Sequence, residues 1–248
     1  MVIPEELNNL CKACLEGVYQ DPAHQLNIEE RYKVYNALNP TRANYSQPKP
    51  GRGLGNDNAK QFRQSNVGDF ALYWLALITI EKVGSRLETK ENISDQENKY
   101  LNTVEGMLQL GKDLILKKVS FEEAHDRLLD EFWYFSHFFV TYEYACLYNA
   151  AVLALAVIMY CDNMGLGGSR ENYSLDNYIG TMDFAWEAAK AFTLTDNNLP
   201  GAVELQEIQT PVDFDPAKRL EFWEWWLTIG VTQAHELAQQ TILGNTTL

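Results

Sequence analysis

The sequence predicts an all-α fold, a single domain of about seven helices over residues 1–248, and three observations predict it. Apolar residues recur at three- and four-residue spacing along most of the chain. Ser-x-x-Glu motifs stand directly before apolar runs, as capping boxes at helix starts do. Alternating apolar-polar runs that would make strands are sparse.

The elements follow in order. Leu7, Leu10, Cys11, Cys14, Leu15 and Val18 lie on one side of a first amphipathic helix. A short second helix is expected over Ile28–Ala37. Asn39-Pro40, Pro48, Pro50, Gly51, Gly53 and Gly55 then punctuate a polar stretch, so 39–58 is expected to be a long loop. Val67–Leu87 reads as a mostly buried helix, since Phe70, Leu72, Tyr73, Trp74, Leu75, Leu77, Ile78 and Ile80 leave it almost no polar face. Ser94 with Glu97 opens a helix expected over Asp95–Lys118, and Ser120 with Glu123 opens a stretch from Phe121 towards Tyr160. Those 40 residues would span about 60 Å as one straight helix, too long for such a domain, so a break is expected near Tyr134–Thr141. Gly165, Gly167 and Gly168 end this stretch. Leu175–Phe192 is expected to be helical, 193–214 to be a second long connection, and Asp215 with Pro216 to open a last helix reaching Leu243.

Composition excludes several function classes. The net charge of −14 and pI near 4.7 argue against a nucleic-acid binder, because phosphate neutralisation needs clustered Lys and Arg. Tyr144–Cys161 is eighteen residues without formal charge, the lower limit for a membrane span. No Lys or Arg flanks it, and a central helix of a large helical domain is apolar all round through burial, so a core role is expected and no membrane partner. The first residues lack a basic segment and an apolar run, and four cysteines suit a reducing compartment; a cytoplasmic location is expected.

The charge is unevenly placed. Glu171–Asp215 holds nine acidic residues and one base, Lys190, which is −8 of the −14. A localised negative field selects basic partners. The candidate partner-binding residues are Asp196, Glu204, Glu207, Asp213 and Asp215 in this stretch, with Glu221 and Trp225 beyond it. Glu221 and Trp225 are one turn apart in the last helix, placing an acid beside an aromatic, while Trp223, Trp226 and Leu227 share the face expected to be buried.

No catalytic motif is complete, and no cofactor or metal is expected. Cys11 and Cys14 form a CxxC, but on the apolar side of a helix rather than after a strand. Glu122 and His125 form half of a di-iron ExxH pattern; with His137, twelve residues on, they make the alternative reading of a metal-dependent helical-bundle enzyme. A structural or scaffold role is the third reading.

Two segments carry a family resemblance: Gly68–Val83, GDFALYWLALITIEKV, with the following helical pattern ending in Gly111-Lys112-Asp113, and Arg219–Ala238, RLEFWEWWLTIGVTQAHELA. This pattern resembles the helical immunity proteins of bacterial polymorphic toxin systems. The resemblance implies a cytoplasmic protein that binds and neutralises a toxin domain without catalysis, and it brings no catalytic residues.

Overall fold

Helix follows helix throughout the computed structural model, which describes residues 3–39, 62–91, 93–128, 141–160, 183–194 and 214–244. The elements are α1 (Glu5–Gln20), α2 (Ile28–Leu38), α3 (Val67–Glu88), α4 (Asp95–Ile115), α5 (Phe121–Arg127), α6 (Tyr142–Tyr160), α7 (Phe184–Thr193), α8 (Pro216–Trp225), a π segment (Trp226–Gly230) and α9 (Val231–Ile242). Among the described residues the only β pairing is an isolated antiparallel bridge between Leu194 and Phe214.

α3 is the centre, with every residue from Asp69 to Ile80 buried. α9 runs antiparallel along it: the Trp74 indole donates to Thr241 Oγ1 at 2.9 Å, and the Trp226 indole to Thr79 Oγ1 at 3.1 Å. Thr79 in turn donates to the Leu75 carbonyl at 2.6 Å, so its hydroxyl is satisfied both as donor and as acceptor. α4, α6 and α7 also pack on α3. One cluster of buried apolar side chains joins all these helices. α6 is long and apolar enough to cross a membrane, but from Tyr144 to Met159 only Ala145 and Asn149 escape full burial inside the fold. Its start is fixed by Lys90, whose ammonium is 2.6 Å from Glu143, and by Thr141, which donates to Glu97 at 3.1 Å.

Local chemistry explains where the helices begin and end. Asn27 with Glu30, Asn66 with Asp69, and Ser94 with Glu97 each form a reciprocal capping box. Ser120 supplies only the forward bond, accepting from the Glu123 amide at 3.0 Å. α4 stops at Ile115, short of the expected Lys118. Lys117 turns into the left-handed region at φ 58°, its amide bonds Leu114 O at 3.0 Å, and the Lys118 amide reaches back to Asp113 O at 2.8 Å. This is a Schellman cap with lysine in place of the usual glycine, which is why the sequence pattern overruns it.

Two other expectations are corrected. The helix expected from Leu175 starts at Phe184, because Asp183 is extended and caps the Trp186 amide at 2.8 Å; 175–182 lie outside the described residues. The last helix is not uniform, since the π segment widens it between α8 and α9. α5 covers Phe121–Arg127 and α6 starts at Tyr142, with Thr141 before it outside a helix; the rest of the expected break at 134–141, and the Phe132–Phe135 aromatic cluster, lie outside the described residues. The expected loop at 39–58 also falls outside them beyond Asn39.

The corner between α2 and α3 is close-packed. Asn39 donates to Asp69 at 2.6 Å, and a Cβ on Gly68 would come 2.6 Å from the Leu38 carbonyl oxygen and 2.9 Å from Asn39 Cα. Gly84, on the same helix, has nothing within 4 Å of where its Cβ would stand. One substitution therefore has two signs. Gly68→Ala must push backbone aside and is expected to cost about 1–3 kcal/mol. Gly84→Ala gains helix propensity and is expected to stabilise by roughly 0.5–1 kcal/mol. Urea unfolding of both variants checks this; equal shifts of the midpoint would contradict the packing of the corner.

Candidate partner-binding face and the buried charges beside it

The start of α8 is built by Asp215. Its carboxylate accepts from the Ala217 amide at 2.9 Å and the Lys218 amide at 3.3 Å, with Pro216 at the first helical position. Asp215 thus serves as a cap, not as a free surface acid. Its own amide donates to Thr193 O at 2.8 Å, so together with the Leu194–Phe214 bridge it closes the base of the connection between α7 and α8. Next to it, Arg219 donates to Ala23 O at 3.1 Å and stacks on the Phe214 ring at 4.6 Å.

Further along the same helix, Glu221 and Glu224 are exposed. Tyr19 of α1 donates to Glu224 Oε1 at 2.9 Å, and this hydrogen bond holds the Tyr19 pKa above its usual value. Tyr19 is nevertheless 48% exposed, and Ile229 in the π segment is 53% exposed. Tyr19 and Glu224 therefore face solvent together where α1 meets α8, with Glu221 exposed one turn before and Ile229 exposed in the π segment. Trp225 sits on the flank of the buried face. It is half-buried, it packs on Phe222, and the Lys82 ammonium of α3 lies 5.6 Å from its ring centre. The cation over this ring comes from the chain itself. Phe222, Trp223, Trp226 and Leu227 are buried, as their shared face requires.

Not all of the acidic stretch is surface. Asp183 and Glu187 are in the core. Asp183 receives Arg31 Nε at 2.7 Å and the Tyr35 hydroxyl at 3.1 Å, both from α2, and Arg31 also donates to Leu26 O. The Arg31 guanidinium lies 5.2 Å from the Trp186 ring centre and 5.9 Å from that of Trp223. One turn on, the Lys190 ammonium lies 2.6 Å from Glu187, and the Cys146 thiol of α6 lies against the same carboxylate. Burial raises the Glu187 pKa, with Lys190 opposing the rise. Burial works against the Lys190 charge, but Cys146, Glu187 and Tyr142 together hold its pKa above normal. Burial of the Cys146 thiol pushes it up to about 12. Asp196, Glu204, Glu207 and Asp213 lie outside the described residues.

Compared with known proteins, the chain matches no family model and no curated sequence. The site is therefore read from its own chemistry. Of the alternative metal ligands, Glu122 is exposed and paired with Arg63 at 3.0 Å, His125 lies 3.5 Å from Asp126, and His137 is outside the described residues. No group of three or more His, Cys, Asp or Glu side chains placed to hold a metal occurs among the described residues. Tyr19, Glu224 and Ile229 were missed in the sequence. Glu221, Glu224 and Thr228 share helical spacing and could have been found; the reach of Tyr19 across 205 residues could not.

Cys11 and Cys14 are both buried, as the apolar side of α1 demands. Burial lifts Cys11 to about 12, with Cys14 adding to it, and burial lifts Cys14 to about 11, with Glu30 adding to it. A thiol reacts as thiolate, so a redox CxxC would need the opposite shift. In the folded protein at pH 8, iodoacetamide is expected to label Cys11 and Cys14 at least ~100-fold more slowly than after denaturation. Peptide mapping distinguishes them from the other cysteines; rapid native labelling of either would restore the redox reading.

Proposed function

We propose that this chain is a cytoplasmic, non-enzymatic domain that binds a basic protein segment. In line with the sequence resemblance, that partner is a toxin domain which the chain neutralises by covering it. The observation that carries this reading is the outer face of α8 and the π segment. Glu221 and Glu224, one turn apart, stand there in solvent, and exposed Tyr19 is hydrogen-bonded to Glu224. By contrast, the acids of α7 are spent on internal pairs. Acids beside an exposed aromatic suit a basic partner that also offers apolar area. Attraction at long range brings the partner in, and the apolar contacts hold it. The chain's −14 net charge and the acids of 195–213 in the sequence support the same partner chemistry.

The partner is first captured from the source cells with the tagged chain. Glu221→Gln/Glu224→Gln is then compared with wild type by stopped-flow at two salt concentrations. The double variant is expected to associate roughly tenfold more slowly at low salt and to show a flatter salt dependence. Glu204→Gln/Glu207→Gln/Asp213→Asn forms a separate arm for the acidic connection. If neither variant changes the association rate or its salt slope, electrostatic capture of a basic partner is wrong.

A further inference from the structure

We infer that His235 makes the seam between α9 and α3 sensitive to mild acid, so that the fold weakens as the pH falls through the histidine range. α9 runs antiparallel along the central helix, with the Trp226–Thr79 bond just before its start and the Trp74–Thr241 bond near its end. Between these two bonds its buried residues are Val231, Ala234, His235 and Ala238. Three of them are apolar and belong to the common core; the fourth is an imidazole. His235 is 9% exposed, and its Nδ1 is closed off from solvent with no hydrogen-bond partner among the described residues.

A neutral imidazole has one N–H and one bare nitrogen, so Nδ1 can stay bare at little cost. An imidazolium has an N–H on both nitrogens. Protonation therefore puts on Nδ1 a buried donor with nothing to receive it. Gln239 Oε1, one turn on, is also buried and without a partner. Turned towards Nδ1 it could accept the hydrogen, but an amide oxygen does not balance the charge. The elements packed on α9 offer no balance either. They are α3 and the π segment. The π segment has no titratable side chain. In the buried stretch of α3 from Asp69 to Ile80 the titratable groups are Asp69, bonded to Asn39, and Tyr73, beside the Ser65 hydroxyl. On α9 itself Glu236 pulls the His235 pKa up, but burial outweighs it and holds the group below the ordinary histidine value. The other described histidines are placed differently. His24 Nδ1 faces the Val18 carbonyl at 3.0 Å, and His125 Nδ1 lies 3.5 Å from Asp126.

The folded state thus resists a proton that the unfolded chain accepts. Stability is complete above the unfolded histidine pKa of ~6.5 and declines as the pH falls below it, until His235 is protonated in the folded state as well. Buried Glu187 has the opposite sign, because its raised pKa adds stability on acidification. The effect of His235 is therefore read as a difference between wild type and variant. It stands independently of the binding role proposed for α8.

An NMR titration of the imidazole signals and urea unfolding at two pH values test it. In the folded wild type, His235 is expected to titrate below ~6.5. Between pH 7.5 and pH 5 the unfolding equilibrium constant of wild type is expected to rise at least ~3-fold more than that of His235→Leu. His235→Gln stays neutral over this range and keeps a polar side chain, and it is expected to follow pH as His235→Leu does. The titration uses the wild-type chain alone, so the test holds should either variant fold poorly. A His235 that titrates at or above ~6.5 in the folded protein, or variants whose stability follows pH as wild type does, would overturn the inference.

Discussion

A helix with no polar face cannot stand in water, and α3 is such a helix. Its need for cover on every side dictates the rest of the architecture. α9 lies antiparallel along it, with α4, α6 and α7 around it. Three polar groups that enter this shell have fixed partners: Thr79 is bonded to Leu75 O and to the Trp226 indole, and Trp74 is bonded to Thr241. The entry angle of α3 is set where Gly68 lies against the end of α2 and Asn39 reaches Asp69. A side chain in place of that glycine's hydrogen would move the central helix, and every helix packed on it would have to follow.

The charges divide into two populations with different work. Those in the interior are Arg31 of α2, Asp69 of α3, Arg219 of α8, and Asp183, Glu187 and Lys190 of α7, and the Arg31–Asp183 pair decides how α2 and α7 meet. Those outside give the molecule its negative field, and on α8 one of them, Glu224, holds the Tyr19 hydroxyl at the surface. Buried ion pairs are weak contributors to net stability but strict about geometry. Exposed acids are weak individually but act at a distance on anything basic that approaches. The acidic run in the sequence mixes both kinds, and only folding separates them.

Much of the fold was legible because it rests on local chemistry. The apolar spacing of α1, the all-round apolar α3, the Ser94 box and the Asp215-Pro216 start are signals within one or two turns. Asn27 and Asn66 cap by the same mechanism, and only their residue type kept them from view. Other features are not local. The Lys117 cap depends on a backbone conformation that lysine does not advertise. The π segment carries no local signal, and its Trp226 bonds Thr79 of α3 across 147 residues. Glu221 and Trp225 were read together from local spacing, and nothing near Trp225 in sequence announces the Lys82 ammonium over its ring, more than a hundred residues away. The burial of Asp183 and Glu187 was invisible for the same reason. A carboxylate 152 positions from its arginine is indistinguishable, in sequence, from one that faces water.

The pinch between Leu194 and Phe214 has a consequence for how this chain can vary. Where both ends of a connection are already hydrogen-bonded to each other, its length stops being a parameter of the packing. Doubling the length of a flexible loop costs only about 0.6 kcal/mol of closure entropy. The helices on either side can therefore hold their positions while the segment between them gains, loses or exchanges residues. A scaffold with one such gate can diversify at that point, as antibody loops do on a constant framework.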